Sequence, residues 1–446
     1  MVRESNVASL SPRPTDDNSR NMWSLMEELF PLYRALCGPG FKDSLLRISK
    51  RLPLDIAEFP SGRDVLGWKI PKEFHVRSAW VEDERGQRII DYDKESYHVV
   101  VYSQPFDGTV DLPTLLEHVE THTELEDAVP LRQSYYRERL GLCASRKLVE
   151  SLKPGKYRVH IDTVLRDGHL RIGEAYLPGE SDDEILINTY LCHPKGANDN
   201  LSSVVVAVEL FRMLAALPRR RFSYRLALWP ESIGAITYIA SYPERLRKTI
   251  GGYALMIAGD VAPVSFSGSF EGTSLLDRAA RHALRHLGWP DQPWPYSRWT
   301  GASDANHFDS VGLRLPVCTW QRGGPRLKVY SAYHSSADDL TRVRPEYLFE
   351  TLEVAWAALM AVERSVTYKA NYVIDPHLTS HGIFQFQHGA GDGKHGNQIA
   401  RAYFEVMGSL DGTRDLLSIA DRYDMPIWVF DEPIEKLLAK GLIARM

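Results

Sequence analysis

One loop in the middle of the chain combines residue types that bind metal ions. Residues 191–200 have the sequence LCHPKGANDN, which places His193 six residues before Asp199. The apolar run 185–187 precedes this loop and a helically periodic apolar segment begins at Leu201, so the pattern indicates strand, polar loop and helix. Imidazole and carboxylate groups are both zinc ligands in proteins. The loop is therefore predicted to hold a metal ion.

Further polar side chains stand beyond the ends of other predicted strands. Glu231 and Asp260 each follow an apolar strand, and His334 comes just before the last long helix. In open α/β sheets, ligands bind beyond the carboxyl ends of the strands. The alternation of strands and helices is therefore expected to bring these residues to His193 and Asp199.

The chemistry of this set is that of a hydrolase. His193, Asp199 and His334 could hold a zinc ion and leave one position open for water. Bound zinc lowers the pKa of water to about 7, and Glu231 is the candidate base that takes its proton and returns it to a leaving amine. Each residue alone has a plainer interpretation, since Asp199 could simply cap a helix. Their joint placement at strand ends favours attack on an amide or peptide bond.

The composition bounds the class of protein. A chain of 446 residues exceeds one ordinary core and predicts two or three domains. Hydrophobic content of 44% and charged content of 25% are typical of a soluble globular protein. The net charge of −5 gives no reason to expect nucleic acid or an anionic membrane as partner.

The location of the protein is expected to be cytoplasmic. No apolar run is long enough to span a bilayer, and residues 1–20 have no apolar stretch of the kind found in a secretory signal. Those twenty residues are predicted to form a disordered polar tail. The four cysteines form no CxxC pair, which favours reduced thiols over a disulfide framework.

The order of strands and helices predicts a fold of three parts. Strands and helices alternate over 184–365, which predicts an α/β domain with a mixed, largely parallel sheet flanked by helices, formed by residues 21–66 and 140–370. Short alternating runs predict a small β-rich insert at 67–139. Residues 371–446 contain three short helical patterns and a terminal strand, the outline of a winged helix.

The charge of the C-terminal region argues against binding to DNA. Residues 398–446 contain six Lys and Arg against eight Asp and Glu. Without a basic face, the counterion release that drives most DNA affinity is missing. An interaction role or homo-oligomerisation is the better expectation for this region.

Four motifs together resemble a known family. The chain is similar to aminopeptidase-like proteins of the superfamily that contains the zinc aminopeptidases and the glutaminyl cyclases, and members often occur among genes for surface-polysaccharide or natural-product biosynthesis. The motifs that carry the resemblance are His193-Pro194, ANDNLS at 197–202, PESIG at 230–234 and YHSSAD at 333–338. The resemblance implies a zinc-peptidase-like domain with an insert and a C-terminal winged helix.

The resemblance also implies how many metal ions the site holds. In the two-zinc aminopeptidases a Glu-Glu pair supplies a base and a ligand, whereas here Glu231 is followed by Ser232. One zinc ion is therefore expected rather than two, with Asp260 near the position of another ligand. Asp304, Ser232 and Tyr333 are predicted to contact the substrate.

The expected substrate is small or peptide-like and carries a specialised amide. Residues 305–307 are Ala-Asn-His where the family usually has Glu, Arg and Gln, and this change falls where the substrate is gripped. Two alternatives stay open. One is a zinc-dependent cyclase or acyl-transfer enzyme, in which an amine replaces water. The other is a non-catalytic scaffold with a structural metal.

Overall fold

The computed structural model describes residues 13–291, 303–324, 330–383 and 395–446. The strands are β1 (Asp55–Pro60), β2 (Asp64–Val65), β3 (Trp68–Lys69), β4 (Glu73–Glu82), β5 (Arg88–Asp91), β6 (Phe106–Asp111), β7 (Val119–Glu120), β8 (Leu142–Cys143), β9 (Lys156–Arg166), β10 (His169–Leu177), β11 (Glu184–Tyr190), β12 (Ser223–Trp229), β13 (Thr249–Leu255), β14 (Val264–Ser267), β15 (Val317–Arg322), β16 (Thr367–Ala370), β17 (Asp411–Asp415) and β18 (Ile443–Arg445). The helices are α1 (Asp16–Leu29), α2 (Pro39–Ser49), α3 (Leu112–Glu117), α4 (Arg146–Ser151), α5 (Ser202–Ala216), α6 (Ile233–Ser241), α7 (Pro243–Leu246), α8 (Leu275–Leu287), α9 (Ala305–Phe308), α10 (Pro345–Arg364), α11 (His395–Met407), α12 (Leu416–Arg422) and α13 (Asp431–Ala439).

A seven-stranded mixed sheet is the centre of the fold. Its strands lie in the order β1-β10-β12-β11-β13-β15-β14. The four strands β12, β11, β13 and β15 are parallel, and the outer strands β1, β10 and β14 run antiparallel to their neighbours. The predicted α/β class, with a mixed sheet flanked by helices, is confirmed.

Both faces of this sheet are covered, and the sequence of β11 reflects this. Every residue of β11 is buried. Ile185 and Ile187 pack into a cluster that contains α5, while Leu186 between them packs into a second cluster on the insert side. Strands with two buried faces have continuous apolar runs rather than alternating ones. The sheet edge that carries the polar loop is thereby fixed from both sides.

The insert forms a second sheet with strand order β5-β4-β9-β6. Its central strand β9 starts at residue 156, beyond residue 139 where the sequence places the end of the insert. In β9, buried and half-buried residues alternate from Tyr157 to Val164. This pattern is typical of a strand with one covered face. The second sheet therefore contains strands from both sides of the predicted boundary: β4, β5 and β6 precede residue 139, and β9 follows it.

The N-terminal helix starts earlier than the sequence predicts. Helix α1 begins at Asp16, so residues 16–20 are helical and the expected disordered tail is shorter than twenty residues. Thr15 caps the helix, and its backbone N–H donates to the side chain of Asn18 at 2.7 Å. Such a reciprocal cap satisfies the free N–H groups of a first helical turn. Residues 1–12 lie outside the described residues.

The C-terminal region contains three helices and a three-stranded antiparallel sheet. Helices α11, α12 and α13 accompany the sheet of order β17-β16-β18, and β16 comes before residue 371 where this region was predicted to begin. Its identification as a winged helix stays a prediction. Among the described helices, none is both long and apolar enough to cross a membrane.

An ion pair of low exposure joins the C-terminal region to α10. Nε and Nη2 of Arg364 donate to the two carboxylate oxygens of Asp431 at 2.6 and 2.7 Å, and both side chains are about one tenth exposed. Removing one partner of a buried pair leaves an uncompensated charge. We expect Asp431→Asn to lower the free energy of unfolding by about 3 kcal/mol or more, measured by urea denaturation.

The matched control is the exposed pair of Arg247 and Glu244. Glu244→Gln should change the free energy of unfolding by less than about 1 kcal/mol, since exposed ion pairs contribute little. Equal effects of the two substitutions would contradict a stabilising role for the pair of Arg364 and Asp431.

Candidate metal centre

Three ligand atoms converge at the carboxyl end of the central strands. Oδ2 of Asp199 lies 3.2 Å from Nε2 of His334 and 3.5 Å from Nε2 of His193, and the two imidazole nitrogens are 3.1 Å apart. Asp199 and His193 are buried, and among the described residues no hydrogen-bond partner of Oδ2 of Asp199 is found in bonding geometry. Two imidazole nitrogens and one carboxylate oxygen are donors that zinc accepts. The residues therefore fit a metal ion.

Electrostatics at this point favour a cation beside an anion. Burial alone would raise the pKa of Asp199, but the imidazoles of His193 and His334 outweigh it and lower the pKa. Burial alone would lower the pKa of His193, but the carboxylate of Asp199 and the thiol of Cys192 outweigh it and raise the pKa. A buried carboxylate needs a positively charged partner. A metal ion could be that partner and could bind both imidazoles at the same time.

The orientation of Asp199 is set by its neighbours. The hydroxyl of Tyr190 donates to Oδ1 of Asp199 at 2.7 Å, which leaves only Oδ2 to face the histidines. The buried carboxylate of Asp338 accepts the backbone N–H groups of Asn198 and Asp199 at 2.8 and 2.9 Å. Gly196 permits this turn, because a Cβ there would lie 1.7 Å from the carbonyl oxygen of Asp199. The loop is thus held by bonds to strand β11 and to the segment after His334.

Arg34 supports the same loop from the segment between α1 and α2. Its buried guanidinium donates to the carbonyl oxygens of Leu191 and Gly196 at 3.1 and 3.2 Å, on either side of His193. Burial lowers the pKa of Arg34 to about 10. No motif in the sequence pointed to Arg34, which lies 157 residues before Leu191.

Glu231 follows β12 and faces the candidate metal ligands. Its Oε2 lies 3.6 Å from Nε2 of His193, and the hydroxyl of Ser303 donates to Oε1. The backbone N–H of Glu231 donates to the sulfur of Cys192 at 3.3 Å. The glutamate therefore lies beside the candidate metal centre and is held from two sides. Its role as a base stays a prediction.

Asp304 supports the turn after β12. It is 3% exposed, and its two oxygens accept the indole N–H of Trp229 and the backbone N–H of Ser232, each at 2.8 Å. Burial and the charge of Glu231 raise the pKa of Asp304 to about 7. Each oxygen of Asp304 thus already accepts one hydrogen bond from the protein. Its contact with the substrate stays a prediction.

The other predicted residues lie around the centre in different positions. Ser232 is half-buried and has a φ of 59° at the start of α6. The ring of Tyr333 stacks on His334 with centroids 3.8 Å apart. Asp260 accepts the N–H of Val261 at 2.7 Å. Within the described residues it does not belong to the group formed by His193, Asp199 and His334. The roles of Ser232 and Tyr333 with substrate stay predictions.

The mixed sheet flanked by helices is a fold that solved zinc aminopeptidases also have. A zinc aminopeptidase from Bacillus subtilis has this fold and superposes with a TM-score of 0.58 at 15% identity, over 78% of this chain and 95% of that structure. The family model described as "Domain of unknown function (DUF4910)" matches residues 23–365. This chain belongs to that family.

Two matches from Clostridium acetobutylicum extend over nearly the whole chain. A protein named "Putative polysaccharide biosynthesis protein with aminopeptidase-like domain" is 31% identical over 92% of this chain and 93% of its own length. The crystal structure of a "putative peptidase" from the same organism has a TM-score of 0.87 at 29% identity, over 96% of this chain and 97% of that one. The predicted aminopeptidase-like resemblance is confirmed.

The raised pKa of Asp304 predicts how stability depends on pH. The folded protein keeps a proton on Asp304 up to a pH of about 7, whereas the unfolded chain loses it near pH 4. The folded state binds more protons in this window, so this group lowers the free energy of unfolding as pH rises from about 4 to about 7. Asp304→Asn removes that contribution.

The measurement is urea denaturation of both proteins, treated with chelator, at several pH values between 4 and 7. Stability of the variant relative to wild type should increase with pH by on the order of 4 kcal/mol across the window. Asp338, whose pKa burial also raises to about 7, is present in both proteins and cancels. A difference that does not change with pH would contradict the raised pKa of Asp304.

Proposed function

We propose that this protein is a metal-dependent hydrolase of amide or peptide bonds, of the aminopeptidase type. The observation that carries the proposal is the buried Oδ2 of Asp199, which faces Nε2 of His193 and of His334 and has no hydrogen-bond partner in the part of the chain that the structure describes. The confirmed relationship to aminopeptidase-like proteins supports it.

One zinc ion, held by His193, Asp199 and His334, is the proposed cofactor. When bound it would polarise the substrate carbonyl and lower the pKa of water. A single ion is favoured because Ser232 offers a hydroxyl where a second ion would need a carboxylate, and because Asp260 lies outside the ligand group. We propose a catalytic role for the metal rather than a purely structural one, because Arg34 and Asp338 already hold the backbone of the loop.

Glu231 is the proposed general base and acid. Its Oε1 accepts from Ser303, so Oε2 is the oxygen turned toward the ligands. From that position it takes a proton from the attacking water and gives a proton to the leaving amine, which requires hydrogen-bond reach on both sides of the scissile bond. Asp304 is a positioning residue in this scheme, because it holds the backbone of Ser232 and the indole of Trp229 on either side of Glu231.

The proposed substrate is a small amide linked to saccharide or natural-product biosynthesis. The name of the relative from Clostridium acetobutylicum supports this class, and the stacked ring pair of Tyr333 and His334 offers a flat wall beside the ligand group. The masses of the products distinguish hydrolysis from cyclisation or acyl transfer, since only hydrolysis adds water.

Zinc content tests the ligand set. Purified protein should contain one zinc ion per chain by elemental mass spectrometry, and Asp199→Asn should weaken zinc binding by more than about 100-fold because a ligand is lost. Asp260→Asn should leave the stoichiometry at one. Two zinc ions per wild-type chain, reduced to one by Asp260→Asn, would contradict the single-ion site.

Turnover tests the role of Glu231. On a library of small amides, Glu231→Gln should lower kcat by about 100- to 10,000-fold while zinc content stays unchanged. The exposed Glu244→Gln is the matched control and should keep wild-type kcat. If Glu231→Gln is as active as the wild type, or if zinc-loaded protein cleaves no amide and the metal only raises stability, the hydrolase proposal fails.

A further inference from the structure

A second set of hydrogen-bonded polar side chains lies on the sheet of the insert, apart from the metal centre. Ser78 is on β4, Asp107 is on β6, and His160 is on β9, the strand between them. Nε2 of His160 lies 3.0 Å from Oγ of Ser78, and Nδ1 lies 2.9 Å from Oδ2 of Asp107. Both distances are within the range that joins a nucleophile to its base and the base to an orienting group.

Strand pairing fixes this row of side chains. Asp107 is directly opposite His160 between β6 and β9, and Ser78 is opposite Asp162 between β4 and β9. Residues two apart on a strand share a face, so all three groups project from one face of the sheet. Trp80, opposite His160 on β4, stacks on the imidazole with centroids 5.2 Å apart and planes at 25°.

The charge on Asp107 determines which nitrogen of His160 carries the proton. The hydrogen bond from His160, and next that from Arg158, lower the pKa of Asp107. An ionised carboxylate only accepts hydrogen bonds, so Nδ1 of His160 donates to it. In the neutral imidazole the lone pair then belongs to Nε2, which faces the hydroxyl of Ser78. This is the tautomer that a general base for serine requires.

We propose that Ser78, His160 and Asp107 form a second reactive site, in which Ser78 is a nucleophile toward carboxylic esters. A nucleophile, base and orienting group are recognised by geometry and not by their order in the chain. Neither the proposed zinc chemistry nor Glu231 takes part, so the two proposals stand independently.

The reaction uses only the ester and water. Oγ of Ser78 adds to the carbonyl carbon while its proton moves to Nε2 of His160, and the leaving alcohol then takes that proton as the ester bond breaks. Water cleaves the acyl-serine by the same route, releases the acid and restores Ser78. The guanidinium of Arg77, the residue before Ser78, lies 3.6 Å from the carboxylate of Asp162, which is opposite Ser78 on β9.

The openness of the face limits the substrate class. The side chains of His160 and Asp107 are 25% and 54% exposed, and Ser78 is half-buried. An open sheet face gives little binding energy, and binding energy is what supports the cleavage of unreactive esters. The site is therefore suited to small acyl groups with good leaving groups, such as acetyl esters of phenols.

The test uses full-length protein treated with chelator, so that the metal centre is inactive. A fluorophosphonate probe should give one adduct per chain by intact mass, mapped to Ser78, and p-nitrophenyl acetate should be hydrolysed. Ser78→Ala should abolish the adduct and the hydrolysis. His160→Ala should slow labelling by about 100-fold, since the general base is lost, and Asp107→Asn should slow it about tenfold or more.

Ser151→Ala is the matched control, because Ser151 is an exposed serine whose hydroxyl donates to a backbone carbonyl and contacts no histidine that the structure describes. It should be labelled like the wild type, and circular dichroism should show that every variant is folded. The proposal is overturned if wild-type protein takes up no probe, if the adduct lies on another residue, or if Ser78→Ala is labelled at the wild-type rate.

Discussion

The buried carboxylate of Asp199 is the constraint on which the rest of the site depends. Removing an ionised carboxylate from water costs free energy unless positive charge and hydrogen bonds surround it in the folded protein. Tyr190 satisfies one oxygen, and the other faces the two imidazoles without a hydrogen-bond partner among the described residues. The donors that the structure describes thus satisfy one carboxylate oxygen of Asp199, and a bound cation would complement the charge of the other.

Holding that anion in place requires distant parts of the chain. Arg34 comes from the segment before α2, and Asp338 comes from the segment before α10, yet both bond the backbone of the loop that carries Asp199. Each is buried and polar, so a change in the shape of the loop would leave part of its hydrogen-bonding capacity unsatisfied. Local geometry at the metal centre is therefore coupled to the packing of the whole α/β domain.

The strand-end rule explains how much of the site could be predicted from the sequence. His193, Asp199 and Glu231 follow strands with clear apolar runs, so their meeting at one edge follows from topology alone. The support given by Arg34 and Asp304 could not be predicted, because it depends on side chains that approach from far away in sequence. The burial of Asp304 and its hydrogen bonds to Trp229 and Ser232 became known only from the structure.

The domain boundary shows the same limit at the level of the fold. The segment from β11 to α10 can be identified in the sequence because strands and helices alternate in it. The place of β9 in the second sheet, in contrast, depends on its pairing with β4 and β6. Period-two alternation indicates a half-buried strand but does not say which sheet covers it. That long-range pairing is also what brings Ser78, Asp107 and His160 together, from positions spread over more than eighty residues. A site formed by side chains on adjacent strands therefore cannot be predicted until the register of those strands is known. A site at the ends of successive parallel strands can be predicted from the order of the strands alone.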